Sequence, residues 1–186
     1  MLALVTGVRL VLVRHAMPDV QPDVPAREWR LGDDGRVAAR NLGQMLPARA
    51  HLVASDEPKA VETLAEASGR SDVEVDADFG EVRRPNAPSG QIHRALAAAY
   101  LGGAAHAGWE PHSSVVRRFH AAVLRHLDAV SAGGEAVVIG AHGMAMTMWL
   151  FARVRADGDR VGFWATLEFP DVVVVDLERG NYQRSL

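Results

Sequence analysis

The feature that most restricts how this chain can fold is the run Leu10-Val11-Leu12-Val13, which gives way at once to Arg14-His15-Ala16. Branched apolar residues without polar alternation specify a strand buried on both faces, as in a parallel sheet covered by helices. In open parallel sheets, ligands collect at the carboxyl ends of the strands. Arg14 and His15 stand at that end, so burying the strand fixes a guanidinium and an imidazole at its tip. A second run, Ala136-Val137-Val138-Ile139-Gly140, ends alike in Ala141-His142-Gly143. The two histidines are therefore expected at one rim of the sheet. Gly143 permits close backbone approach there, and the helix that follows aims unpaired N–H groups at the same place. Such a rim suits a dianionic phosphoryl group.

Between these runs the periodicity alternates. A helix is expected over 33–46, with Val37, Ala38, Asn41, Leu42, Met45 and Leu46 at helical spacing and Pro47 as its stop. A short strand at 51–54 precedes a helix opened by Ser55-Asp56, with Pro58 in its first turn. A brief strand at 73–75 leads to Asp78-Phe79-Gly80-Glu81, and Pro85 and Pro88 break the loop that follows. Helices are expected over 92–101, over 113–130 (ended by Gly133-Gly134) and over 144–152. The tail reads as two strands, 163–169 and 172–177, turning at Pro170-Asp171. Strands alternating with helices imply an α/β fold: a mostly parallel central sheet flanked by helices on both faces.

The chain has 186 residues, 48% of them hydrophobic, which is enough for a substantial core in one domain over 1–186. A net charge of -3 argues against nucleic acid or an anionic membrane surface as partner, and the pairs Arg83-Arg84 and Arg117-Arg118 do not grow into a basic run. Absence of cysteine excludes disulfides, thiolate metal sites and a cysteine nucleophile. The apolar start, 1–7, lacks a basic n-region, and no stretch has the length of a membrane-spanning helix, so a soluble, cytoplasmic protein is expected. Nothing in the sequence sets an oligomeric state. His112, His120 and His126 fall on or near one helix without i,i+4 spacing, while His51, His93 and His106 are isolated, so all six are assigned to surface or core and no metal site is expected. Met144, Met146 and Met148 with Trp149 read as core packing.

Taken together, five segments resemble the histidine phosphatase superfamily, in its phosphoglycerate mutase-like branch, over nearly the whole chain. They are Leu12-Val13-Arg14-His15-Ala16, Leu31-Gly32-Asp33-Asp34-Gly35 with Ala39 and Leu42, Ala54-Ser55 through Lys59-Ala60-Val61-Glu62-Thr63, Phe79-Gly80-Glu81, and Val138-Ile139-Gly140-Ala141-His142-Gly143. The resemblance implies a phosphoglycerate mutase-like fold with a short helical insertion, and a metal-independent phosphomonoester hydrolase without cofactor. It implies that His15 attacks phosphorus to form a phosphohistidine. Arg14, Lys59, His142 and Ser55 would contact the phosphate, and Glu81 would act as general acid and then base. The substrate would be a small phosphate ester or phosphorylated molecule.

Three departures stand out. Lys59 takes a position at which the family usually has arginine, keeping the charge but losing the bidentate fork. Arg83-Arg84-Pro85-Asn86 replaces a Gly- and Trp-containing segment, so either arginine competes with Lys59 as second phosphate cation. Met17 follows Arg-His-Ala where a polar residue is usual. Without the resemblance, Glu81 is also a carboxylate before a basic loop, Lys59 a surface lysine and Ser55 a helix cap. Two other functions are open: phosphoglycerate mutase-type transfer, disfavoured by the short region after Glu81, and a phospholigand-binding module with degraded catalysis, suggested by Lys59.

Overall fold

The computed structural model describes residues 9–85, 90–130, 136–154 and 158–185. Along the chain run β1 (Leu10–Arg14), α1 (Asp33–Leu42), β2 (Ala50–Ala54), α2 (Pro58–Ser68), β3 (Glu74–Val75), α3 (Gln91–Leu101), α4 (His112–Val130), β4 (Ala136–Ala141), α5 (Gly143–Arg153), α6 (Arg160–Thr166), β5 (Asp171–Asp176) and β6 (Asn181–Ser185). Expectations that fall on 1–7, Asn86, Pro88 and Gly133-Gly134 lie outside the described residues.

The six strands lie in the order β3-β2-β4-β1-β5-β6. The pairs β3–β2, β2–β4 and β4–β1 are parallel; β1–β5 and β5–β6 are antiparallel. β1 and β4 occupy the middle and are buried throughout, which is why neither alternates in sequence. Their odd and even residues enter different cores. Val11, Val13 and Val138 pack with Leu42, Ala60 and Leu64 under α1 and α2. Leu10, Leu12, Val137 and Ile139 pack with Phe119, Val123, Leu127 and Trp149 under α4 and α5. The fold is thus α/β, with a mostly parallel sheet flanked by helices on both faces. The short helical insertion is α3. Among the described residues no helix is long and apolar enough to cross a membrane.

This strand order locates the site. From β1 the chain passes β4 to reach β2, and from β4 it passes β1 to reach β5. The connections run in opposite directions from the neighbouring strands β1 and β4, and it is outside the carboxyl ends of two such strands that α/β sheets form a ligand crevice. Register then does the rest. Arg14 pairs with Ala141, so the next residues, His15 and His142, emerge side by side.

Two local expectations are corrected. In α1 the buried stripe is Gly35, Ala39 and Leu42, whereas Val37 and Asn41 face solvent, and the helix ends at Leu42, before the exposed Met45. The reason is close approach: a Cβ on Gly35 would lie 2.1 Å from the carbonyl oxygen of Met17, so only the smallest residues of the helix can face the loop after β1. In the tail, 163–169 is not a strand. Asp159 accepts a hydrogen bond from the Val161 N–H (2.8 Å) and caps α6, and the antiparallel pair is β5 with β6. An apolar run this short carries either periodicity, and here the cap decides for helix.

Candidate active site

His15 follows the last residue of β1, and its backbone N–H donates to the Ala141 carbonyl at 3.0 Å. Its ring Nδ1 lies 2.8 Å from the Ala16 carbonyl oxygen. A carbonyl only accepts, so Nδ1 carries the hydrogen and Nε2 keeps its lone pair. The Ala16 N–H donates to Thr63 Oγ1 (2.9 Å), whose hydroxyl donates to the Lys59 carbonyl (2.6 Å), so α2 fixes the backbone beside His15. Burial, reinforced by a second imidazole, His142, and by the cations Lys59 and Arg14, holds the His15 pKa well below its ordinary range. The ring is neutral at physiological pH.

The His142 ring centroid lies 5.1 Å from that of His15. His142 is the residue before α5; its Nε2 is 2.6 Å from Ser55 Oγ and 3.5 Å from Glu57 Oε1. Burial pushes its pKa down to about 3, with Lys59, Arg84 and Arg118 adding to the shift and Glu81 opposing it. It is a neutral donor or acceptor, not a standing cation.

Arg14 supplies charge at the crevice. Its Nη1 donates to the Leu167 carbonyl at 2.6 Å, and its guanidinium carbon sits 3.4 Å over the Phe169 ring. Burial lowers its pKa to about 10, opposed by Glu81 and Asp171, so it stays charged at neutral pH. A Cβ on Gly143 would stand 3.2 Å from Arg14 Nε and 3.2 Å from Trp164 Nε1, so the glycine lets the guanidinium lie against the start of α5. The Nε hydrogen is buried and has no hydrogen-bond partner among the described residues.

Lys59 is not a surface lysine. It is 5% exposed, its Nζ donates to the Ala26 carbonyl at 2.7 Å, and it pairs with Glu57. Arg84 instead donates to the Val82 carbonyl (2.9 Å) and lies over the Trp109 ring, and Arg83 is exposed. Of the three candidate cations, Lys59 is the one buried in the cluster.

Glu57 was not singled out by sequence reasoning. Its carboxylate touches Lys59 Nζ, approaches His142 Nε2 and accepts from the Glu81 N–H (3.2 Å). The chain's own anion thus sits on groups suited to phosphate. Its only sequence signal was its place between Ser55 and Lys59. Removing the charge by Glu57→Gln is expected to tighten competitive inhibition by inorganic phosphate about tenfold, because a buried carboxylate repels a dianion. An unchanged inhibition constant would show that Glu57 and phosphate do not share the space.

Glu81 sits at the amino end of α5. Its Oε1 accepts from the Ala145 N–H (2.9 Å) and Val82 N–H (2.9 Å), and its Oε2 from the Met144 N–H (3.2 Å). The loop that carries it hangs on Arg118, a second residue the sequence did not reveal. That guanidinium donates to the carbonyls of Asp78 (2.6 Å), Gly80 (2.8 Å) and Glu81 (3.0 Å), and pairs with Glu110 through both oxygens (2.8 and 2.9 Å).

The buried histidines make a prediction about stability. His15 and His142 resist protonation in the folded chain, whereas in the unfolded chain they take protons near pH 6.5. Below that pH the unfolded state binds more protons, so stability is expected to fall from about pH 6.5 toward pH 3, at about 1.4 kcal/mol for each unit of depression. Chemical denaturation across this range measures it. A His142→Asn variant should show a shallower decline, and an identical slope would remove His142 as a cause.

Potential metal ligands are grouped elsewhere, where His51, Glu74 and His126 approach one another. The structure thus brings Arg14, His15, Ser55, Lys59, Glu81 and His142 around one crevice, adds Glu57 and Phe169, and joins two histidines the sequence left apart.

No curated protein sequence matches this chain. Among solved structures, a mycobacterial glucosyl-3-phosphoglycerate phosphatase in complex with inorganic phosphate superposes with a TM-score of 0.68 at 22% identity, covering 96% of each chain. Bacillus stearothermophilus YhfR gives 0.70 at 19% identity, again over 96% of each chain. A variant of Entamoeba histolytica phosphoserine phosphatase in complex with phosphoserine gives 0.68 at 13% identity, over 96% of this chain and 95% of that one. These likenesses establish the fold. The sequence itself matches the family model of the histidine phosphatase superfamily (branch 1) over residues 10–183. With that match over almost the entire chain, the protein belongs to the histidine phosphatase superfamily.

Proposed function

We propose that this protein is a metal-independent phosphomonoester hydrolase acting through a phosphohistidine at His15. The observation that carries the reading is the fixed tautomer of His15. With Nδ1 committed to the Ala16 carbonyl, the lone pair of Nε2 is presented beside Arg14 and His142. Nε2 attacks phosphorus and the P–O bond to the leaving group breaks, while Glu81 gives that oxygen a proton. Water then attacks the phosphohistidine, Glu81 takes its proton, and the P–N bond breaks to release phosphate and restore His15. Arg14 and the neutral ring of His142 hold the equatorial oxygens, and the unpartnered Nε hydrogen of Arg14 is available to one of them. The solved relatives named for phosphate-ester hydrolysis, one with phosphate and one with phosphoserine bound, support a small phosphate ester as substrate.

The test is single-turnover loading with a phosphate-labelled ester, quenched in base. An acid-labile, base-stable label on His15 that passes to water supports the proposal. Label passing instead to an added sugar-acid acceptor would assign mutase chemistry. A second reading, retention of a phosphorylated ligand without turnover, draws on the seat of Glu57 over Lys59 and His142. It predicts ester binding with no labelled enzyme.

A further inference from the structure

On the face of the sheet covered by α4, three side chains from three elements meet. His51 comes from β2, Glu74 opens β3, and His126 projects from the last turns of α4. Strand alternation places His51 on the same face as Val53, the face under α4, and the parallel register sets Glu74 beside Val53. One donor atom from each of the three lies within 4.8 Å of the others. His51 Nε2 stands 2.9 Å from His126 Nδ1 and 3.5 Å from Glu74 Oε2.

The tautomer of His126 is set from behind. Its Nε2 is 3.0 Å from Asp76 Oδ2, and an ionised carboxylate only accepts, so Nε2 carries the hydrogen and Nδ1 turns its lone pair toward His51 and Glu74. Asp76 is itself held by Arg125 Nη2 (2.6 Å) and by the Asp78 N–H (3.0 Å). A carboxylate gripping the far nitrogen of a histidine is the arrangement that orients imidazole ligands at metal centres.

We infer that His51, Glu74 and His126 form a binding site for a divalent transition-metal ion, with zinc the ion that best suits the donors. Two nitrogens and one oxygen, with water as fourth ligand, satisfy its tetrahedral preference. Donors on such an ion at about 2.0–2.1 Å stand about 3.3–3.4 Å apart, so the 2.9 and 3.5 Å separations bracket the requirement and the rings need to part by roughly half an ångström. Binding displaces the single hydrogen shared by the facing nitrogens. His126 is buried and rigidly placed, whereas Glu74 is exposed and leaves the ion a route in.

The site is separate from the catalytic crevice, although it shares its supports. The Asp76 N–H donates to the Ala54 carbonyl (2.8 Å), just before Ser55, and the His126 ring packs 5.6 Å from Phe79, two residues before Glu81. An ion here would pin the β3 segment to β2 and α4, a stabilising role that does not depend on the hydrolase reading.

The experiment is titration of the chelator-treated full-length chain with zinc chloride by calorimetry, with thermal unfolding and the visible spectrum of a cobalt(II) sample as further readouts. One ion per chain, a raised melting temperature and the intense d–d bands of tetrahedral cobalt are expected. His51→Asn should weaken binding at least tenfold and Glu74→Gln by a smaller factor; both positions are partly or fully exposed, and circular dichroism checks that these variants fold. Stoichiometric binding that survives the double variant would place the metal elsewhere and overturn the proposal. So would the absence of binding by the folded wild-type chain, leaving the two rings as a hydrogen-bonded pair.

Discussion

His15→Ala is expected to lower phosphate-ester turnover by about 10³-fold or more while leaving the protein folded. Among the described residues of the crevice, this ring is the imidazole whose lone pair is left free for attack. Its Nδ1 is saturated by the Ala16 carbonyl, whereas His142 Nε2 already engages Ser55 and faces Glu57. Among the described residues, no second imidazole of the crevice has the same disposition. Alanine also removes a ring packed against His142 and Phe169, so stability is measured alongside the rate. Assays on both an activated aryl phosphate and an alkyl phosphate separate the cases. Loss on both marks the nucleophile, because either ester must pass its phosphoryl group to the same nitrogen whatever its leaving group. Undiminished turnover by the folded variant would end the phosphohistidine mechanism.

The second large effect is expected at Arg118, which touches no candidate catalytic side chain. Its side chain is 9% exposed and that of its partner Glu110 is 7% exposed. Arg118→Met keeps most of the volume but strands the Glu110 carboxylate, an error that typically costs about 3–5 kcal/mol. For a chain of this length that corresponds to a fall in melting temperature of roughly 6–20 °C. The double variant Arg118→Met, Glu110→Leu should recover much of the loss, since replacing both members of a buried pair by apolar residues is often close to neutral. Equal destabilisation in single and double variants would show that the three carbonyl contacts, not the ion pair, carry the energy. Catalysis gives an independent readout. With Asp78, Gly80 and Glu81 released, Glu81 loses its fixed relation to α5. Below both melting transitions, the rate on a poor leaving group should fall more than on an activated one, as it should for Glu81→Gln. A purely structural role for Arg118 would lower both rates alike.

What could be read from the chain alone was set by strong, local signals. Continuous apolar runs at 10–13 and 136–140 can be satisfied only by burial on both faces, so they specified central strands and located Arg14, His15 and His142 at strand ends. The long helix α4, and α5 with its buried stretch from Gly143 to Leu150, followed from their periodicity and apolarity. Weak or degenerate signals misled. The stripe of α1 turned because a carbonyl of the loop after β1 stands where a side chain would go, a contact absent from any window of sequence. The tail segment 160–166 is too short for its period to decide between strand and helix.

Sequence by itself determined the layered α/β architecture and the placing of Arg14, His15 and His142 at the sheet rim, because burial of apolar runs is a property of composition along the chain. Only the tertiary structure decided which charges meet. It buried Lys59 and left Arg83 exposed, set Glu57 on Lys59, hung the Glu81 loop from Arg118, and brought His51 to His126 across seventy-five positions. Side-chain partnerships of this kind depend on strand order and helix rotation, which arise when the whole chain packs and are written in no single segment.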